Sequence, residues 1–202
     1  MYGVGRKTAP KVRDGKVQSK NCRAVTPHYL NSVQPVLVFD RQKPGAGYRH
    51  LVHQAELRQF VTALPEWDVL QCGLDAVVQA EGDADCLGWH RTGVVAVTAW
   101  NRGFSLTGCD RSFIADHEGL LQKLRVPCSG SGMTWVLEFN QATARAFQLV
   151  HVLVHELGHH HDRMTTRARR RPCRGEGFAE AYALRHEAEV LDLYWQMFPG
   201  DY

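Results

Sequence analysis

The sequence predicts an α+β fold, because segments with the composition of strands come first and two long helical segments close the chain. The strand-like segments are residues 35–40, 74–79, 93–100 and 134–139. The segments with helical spacing of apolar residues are 53–64, 113–124, 141–162 and 176–198. The resulting order is β-α-β-β-α-β followed by two helices. We therefore expect a small mixed sheet of about four strands, packed on a central helix and a C-terminal helix.

The elements before the central helix follow from local composition. The first and second strands are short apolar runs, and the first helix ends before Pro65 because proline cannot continue a helix. The third strand is rich in β-branched residues, which are typical of strands. Residues 127–132 contain proline, glycine and serine, and we expect them to form a loop before the fourth strand.

Composition divides the chain into a tail and one domain. Residues 1–34 are rich in Lys, Arg, Gly, Ser and Pro, and are predicted to form a basic, disordered tail. Residues 35–202 are then expected to form a single domain. Of the whole chain 44% is hydrophobic and 22% is charged, as in ordinary globular proteins. The net charge of +3 points to no particular partner.

The sequence also carries expectations about location. No stretch approaches the roughly 18 consecutive apolar residues of a transmembrane helix. The N-terminal segment lacks the apolar run of a secretory signal. The six cysteines form no C-x-x-C pair, so free thiols are expected rather than a disulfide framework. We therefore expect a cytoplasmic protein without membrane contact.

The central helix is predicted to be buried. Its first part, residues 141–154, is apolar almost all the way round, which is typical of a helix surrounded by core. Asn140 occupies the position of an N-cap, since its side chain can accept a hydrogen bond from the first turn. Asp162 lies near the C-terminal end, where the helix dipole disfavours a carboxylate. We expect Asp162 to pair with a nearby arginine or to support the site.

The strongest functional signal is the motif H-E-x-x-H at residues 155–159. Residues four apart on a helix share a face, so His155 and His159 can each present a ring nitrogen to one metal ion. Glu156 lies beside that ion and can take a proton from a metal-activated water, then pass it to a leaving amine. Zinc suits imidazole and carboxylate ligands. The motif therefore predicts a zinc-dependent hydrolase that cleaves peptide bonds in a peptide or protein substrate.

Two histidines and a water leave one position on a tetrahedral zinc ion, so a third protein ligand is needed. Glu176 and Glu180 are the candidates. They are four apart and share one face of the last helix. One of them can be the ligand, and the other can hydrogen-bond to the second ring nitrogen of a ligand histidine.

The two motifs together resemble a known family. E-x-x-A-E after H-E-x-x-H resembles the gluzincin branch of the zincin metallopeptidases, in which a second helix carries a glutamate ligand. The segment G-E-G-F-A at residues 175–179 is similar to the N-E-G-F-A of the aminopeptidase group. The resemblance covers residues 139–194 and implies a zincin-like fold, with Glu176 as the third ligand and Glu180 orienting His155. Because only sixteen residues separate His159 from Glu176, Glu180 stays the alternative ligand.

Other residues near the motif have weaker signals. Tyr182 and His186 on the last helix are candidates for stabilising the transition state, although packing or surface roles are more common for both. Cys173 is a minor candidate ligand. In zincins the strand that borders the cleft binds the substrate backbone, and residues 93–100 are the candidate for that edge. An interior strand without substrate contact is an equal alternative.

Two further functions stay open. One is a non-catalytic or regulatory zinc-binding module, which the presence of Glu156 disfavours. The other is a protease that acts on nucleoprotein. Six arginines, from Arg163 to Arg174, could contact nucleic acid, but a solvated surface loop is the favoured interpretation.

Overall fold

A computed structural model of the chain describes residues 12–13, 16–17, 28–131, 134–166 and 174–201. These residues have a mixed α+β architecture, as the sequence predicts. The strands are β1 (Val12–Arg13), β2 (Lys16–Val17), β3 (Val38–Arg41), β4 (Tyr48–Arg49), β5 (Ala76–Ala80), β6 (Gly88–Arg91), β7 (Val94–Thr98), β8 (Trp100–Asn101), β9 (Ser105–Cys109), β10 (Cys128–Ser131) and β11 (Thr134–Glu138). The helices are α1 (Gln54–Thr62), α2 (Trp67–Leu70), α3 (Arg111–Lys123), α4 (Gln141–Phe147), a π-helical segment (Gln148–Val152), α5 (Leu153–Thr165) and α6 (Gly175–Met197). Short 3-10 helices lie at His28–Leu30 and Pro199–Asp201.

The largest sheet in the described part of the chain has four strands in the order β3-β5-β7-β6. Neighbours among β3, β5 and β7 are parallel, whereas β6 runs antiparallel to β7. Parallel strands need a crossover connection, and α1 and α2 lie in the one between β3 and β5. The prediction of a small mixed sheet is therefore confirmed.

Two details of the predicted sheet are wrong. The expected fourth strand, now β11, pairs instead with β9 and β10 in a separate antiparallel sheet. The predicted loop at residues 127–132 contains β10, because hairpin pairing with β11 outweighs the low strand propensity of glycine and serine.

The structure decides between the two alternatives for residues 93–100. β7 lies between β5 and β6, so the interior alternative for residues 93–100 is correct. The edge strand next to β7 is β6, whose sequence GWHR has no run or alternation of apolar residues, and β3 forms the opposite edge. A short edge strand with polar side chains has no periodic signal from which it could be predicted.

Side chains of the main sheet alternate between two cores. Val77, Val95 and Val97 face the large core that the helices form, whereas Val78 and Ala96 face a smaller cluster on the other side. The smaller cluster is closed by a segment that was predicted to belong to the tail.

Residues 28–34, the C-terminal part of the predicted tail, pack on the domain. Tyr29 is 4% exposed, and its hydroxyl donates to Asp40 Oδ2 at 2.5 Å. The backbone N–H of Gln34 donates to Asp75 Oδ1 at 2.6 Å. Apart from β1 and β2, which pair with each other, the remainder of the predicted tail lies outside the described residues.

The central helix is continuous from α4 through the π-helical segment to α5, and most of its apolar residues are buried. Asn140 is the N-cap, as predicted, because its side chain accepts from the backbone N–H of Thr143 at 2.9 Å. Most of the large apolar residues of α6 are buried or partly buried where it packs across this helix, whereas Leu184 is 41% exposed. No helix in the described ranges is long and apolar enough to cross a membrane. The described cysteines are free thiols, and Cys22 and Cys173 lie outside the described residues.

Candidate metal centre

Three potential ligand atoms from α5 and α6 converge at one point. Glu176 Oε2 lies 3.2 Å from His155 Nε2 and 3.3 Å from His159 Nε2. A tetrahedral zinc ion with bonds of about 2.0–2.1 Å holds its ligand atoms about 3.3–3.4 Å apart. The observed separations match that value, so these three side chains could hold a metal ion with little movement.

The convergence depends on a close approach of the two helices. Gly158 lies within the H-E-x-x-H motif and faces Ala179 on α6. A Cβ atom at position 158 would lie 3.0 Å from Ala179 Cα and 3.1 Å from its carbonyl oxygen. Any larger residue at this position would separate the helices and move Glu176 away from the histidines.

Asp162 fixes the start of α6. Its carboxylate is 1% exposed, and it accepts from the backbone N–H groups of Arg174 and Gly175, both at 3.1 Å. It also accepts from Arg174 Nε at 2.6 Å and from the Thr166 hydroxyl at 2.9 Å. Burial alone would raise the pKa of Asp162, but these hydrogen bonds hold it below its ordinary value. The carboxylate therefore ties the end of α5 to the helix start that carries Glu176.

Glu156 is the most buried carboxylate at the centre after Asp162, with 7% of its surface exposed. Burial raises the pKa of Glu156 to about 7, the charge of His155 lowers it in part, and Glu176 raises it further. Gly88 on β6 permits close packing here, because a Cβ at that position would lie 2.9 Å from Glu156 Cγ. The edge strand therefore runs directly beside the carboxylate.

Glu180 lies on the opposite side of the His155 ring from Glu176. Its Oε2 is 3.1 Å from His155 Nδ1, so that nitrogen can carry the proton and donate it to the carboxylate. The other ring nitrogen of neutral His155 then presents a lone pair towards Glu176. Burial alone would raise the pKa of Glu180, but the neighbouring imidazoles of His151 and His155 hold that pKa well below its usual range.

His90 on β6 packs against one of the two ligand histidines. Its ring is stacked on His159 with centroids 6.0 Å apart. Burial, followed by the charges of His160 and His159, lowers the pKa of His90 to about 4. The ring is therefore neutral at physiological pH and adds no positive charge beside the centre.

A cavity of about 640 Å³ opens next to the centre. Its wall includes Gly88 of the edge strand together with His155, Glu156, Glu176 and Glu180. A smaller pocket follows β6 from Gly88 to His90 and reaches the same ligand side chains. The edge strand β6 and the candidate metal centre thus both line these two neighbouring pockets, which share Gly88, His155, Glu156 and Glu176 and are together called the recess.

Several predicted site residues lie elsewhere. Tyr182 is 4% exposed and packs against the rings of His161 and His186, with centroids 5.2 and 4.6 Å away. Burial raises the pKa of Tyr182 to about 12. Tyr182 and His186 line a small pocket with Leu70 instead of the cavity. Of the arginine-rich stretch, residues 167–173 lie outside the described residues.

Two histidines near the centre were not predicted from the sequence. His151 precedes His155 by four residues, and this spacing places the two side chains on the same helix face. The spacing therefore indicates that His151 lies near the centre. His117 comes from α3 and meets His151 with 2.8 Å between the two Nε2 atoms. No local pattern connects His117 with the motif.

No protein-family model, curated protein or solved structure matches the chain. Its function therefore has to be inferred from the chemistry of these side chains.

Proposed function

We propose that the protein is a zinc-dependent peptidase of the gluzincin type, with a zincin-like fold, that hydrolyses peptide bonds. The observation that carries the proposal is the convergence of His155, His159 and Glu176 on one point, with separations of 3.2 and 3.3 Å. Two imidazoles and one carboxylate with an open position are a ligand set typical of catalytic zinc.

The hydrogen bond between His155 and Glu180 supports this ligand set. Because Nδ1 faces Glu180, Nε2 is the ring nitrogen that faces Glu176, and it can act as a ligand once it has lost its proton. Zinc, when bound, would polarise the scissile carbonyl and lower the pKa of the attacking water. Glu180 is then a positioning residue for His155, and Asp162 is a positioning residue for Glu176.

Glu156 is the proposed general base. It lies in the wall of the recess beside the ligands, where it can accept a proton from the attacking water and return it to the leaving amine. A carboxylate with a pKa raised by burial accepts a proton more readily than an exposed one. Metal binding close to Glu156 would lower that pKa again, because the cation stabilises the anionic form.

The substrate backbone is proposed to pair with β6. This strand is one of the two edges of the main sheet, and it partly lines both pockets beside the centre. An extended peptide can add to such an edge through backbone hydrogen bonds. The scissile carbonyl would then lie over Gly88, next to Glu156.

The test is cleavage of a peptide library by the zinc-loaded protein, read by mass spectrometry. Cleavage should stop when a chelator is added and return with zinc. Glu156→Gln should lower kcat by at least about a hundredfold, because general-base catalysis is lost. Glu189→Gln, an exposed change on α6, is the matched control and should leave the rate unchanged.

Two results would redirect the proposal. If the zinc-loaded protein cleaves no library peptide, the non-catalytic or regulatory zinc-binding module becomes the better account. If cleavage requires bound nucleic acid, the protease acting on nucleoprotein is favoured. A salt-dependent DNA-binding measurement separates that last case from ordinary peptidase activity.

A further inference from the structure

A second group of potential ligand side chains lies beyond His155, on the side away from Glu176. It consists of His117 from α3, His151 from the π-helical segment and Glu180 from α6. The two imidazole Nε2 atoms are 2.8 Å apart, which is the length of an N–H···N hydrogen bond, so the rings would have to separate by about 0.5 Å to share a tetrahedral ion. Glu180 Oε1 lies 3.7 Å from His117 Nε2, and Glu180 Oε2 lies 3.5 Å from His151 Nε2.

In this group there are fewer hydrogen-bond donors than acceptors. His117 Nδ1 is 2.7 Å from the carbonyl oxygen of Phe113. A carbonyl only accepts, so Nδ1 carries the proton and Nε2 of the neutral ring is a lone pair. That lone pair faces His151 Nε2 and a carboxylate oxygen. One proton on His151 Nε2 can bridge the two rings, but it cannot also satisfy Glu180 Oε1.

Burial makes the shortage of donors costly. The side chains of His117 and His151 are only 5% and 8% exposed. Glu180 Oε1 is buried and has no hydrogen-bond partner among the described residues. A buried, charged acceptor without a partner is strongly unfavourable. A cation among the three side chains would satisfy every one of these acceptors.

We propose that His117, His151 and Glu180 bind a second divalent metal ion. Two imidazoles and a carboxylate suit zinc and similar transition-metal ions rather than calcium or magnesium. All three side chains line the 640 Å³ cavity, so an ion can reach them from solvent. His151 also lies in a π-helical segment, a rare conformation that is often found at functional sites.

Glu180 would connect the two ions through His155. Its Oε2 accepts from His155 Nδ1, while the carboxylate also faces the second group. An ion bound to Glu180 would fix the orientation of the carboxylate and therefore of the His155 ring. This second site does not depend on peptide hydrolysis being the function.

The test is the number of zinc ions bound by the full chain. After zinc saturation and removal of free metal, native mass spectrometry and elemental analysis should give two ions per chain in the wild type. His117→Asn and His151→Asn should each leave one. Glu176→Gln, a change at a side chain that is 83% exposed, should also leave one, because only the first site is lost. His53→Asn is the exposed-histidine control and should keep two.

A second measurement needs no variant. In wild-type protein with 15N-labelled histidine, the ring nitrogens of His117 and His151 should shift during one of the two zinc equivalents, and those of His155 and His159 during the other. A single equivalent in the wild type would overturn the proposal. So would a second equivalent that persists in both His117→Asn and His151→Asn, or that leaves the His117 and His151 signals unchanged.

The two proposals fail in different ways. Protein that binds two ions but cleaves no peptide would refute the peptidase function and leave the second site intact. Protein that cleaves peptides with a single ion would do the reverse.

Discussion

Replacement of Glu156 by glutamine should stabilise the metal-free protein at neutral and alkaline pH. Glu156 is 7% exposed, so its negative charge has to be kept in a poorly hydrated place. Glutamine has nearly the same shape but carries no charge. Compared with glutamine, the native Glu156 is therefore expected to lower the free energy of unfolding. Residues needed for activity often reduce stability in this way.

The magnitude follows from the pKa of Glu156, which burial raises from 4.5 to about 7. A raised carboxyl pKa means that the folded state holds the proton more tightly than the unfolded state. Stability is therefore unaffected below the unfolded pKa and falls as the pH rises between the two values. At pH 8 the full penalty is about 3 kcal/mol, and at pH 5 it is about 1 kcal/mol.

The assay is urea unfolding in the presence of a chelator, at pH 5 and pH 8, for the wild type and Glu156→Gln. The variant should gain about 1 kcal/mol at pH 5 and about 3 kcal/mol at pH 8. Bound zinc should reduce the difference, because a nearby cation lowers the pKa of Glu156. The control Glu189→Gln should change the free energy of unfolding by less than about 0.5 kcal/mol at both pH values.

Equal unfolding free energies at both pH values would refute the reasoning. They would mean that the Glu156 charge is hydrated or neutralised in the metal-free fold. A variant less stable than the wild type at pH 8 would mean that the carboxylate is held by favourable contacts.

Three other predictions concern the parts that assemble the centre. Glu176→Ala should abolish tight zinc binding at the site of His155 and His159 in a chelator competition, whereas Glu180→Ala should weaken binding at that site about 10- to 100-fold; the reverse order would make Glu180 the ligand there. Gly158→Ala should lower the free energy of unfolding by about 1–3 kcal/mol. Gly177→Ala should not lower it, because a Cβ atom at position 177 meets no other part of the described chain within 4 Å. Equal effects of the two changes would show that close helix packing is not required. Asp162→Asn should lower Tm at pH 7, with a cost of about 1–3 kcal/mol. Since the pKa of Asp162 is below its ordinary 3.8, this cost should vanish as the pH falls through the folded value, and a pH-independent cost would contradict the assignment.

The parts of the fold that could be predicted are those with a strong local signal. The strands β5 and β7 are mostly apolar and buried throughout, and β3 begins within the apolar run of residues 36–39. All three strands lie close to the predicted positions. The strand β6 could not be found in this way, because a half-exposed edge needs no apolar alternation. Its placement is decided by pairing with β7 and by the contact of Gly88 with α5, which are both tertiary effects.

The candidate site likewise contains residues with a local sequence signal and residues that only tertiary packing brings together. His155, Glu156 and His159 were predicted from helical spacing, which is a property of the local backbone. Glu176 and Glu180 were predicted from a family resemblance, because no local sequence pattern indicates where α6 crosses α5. His117 precedes His151 by 34 positions in the chain, and only the packing of α3 brings the two rings together.

The two candidate metal sites follow from one repeated spacing. Histidines recur every four residues along the central helix, at positions 151, 155 and 159, and glutamates recur at positions 176 and 180 on the helix that crosses it. The result is an alternating ladder, His159–Glu176–His155–Glu180–His151, with successive separations of 3.3, 3.2, 3.1 and 3.5 Å. Each carboxylate therefore lies between two imidazoles, and His155 is shared by both halves. A change at Glu180 should consequently affect metal binding at both ends of the ladder, whereas a change at Glu176 should affect one.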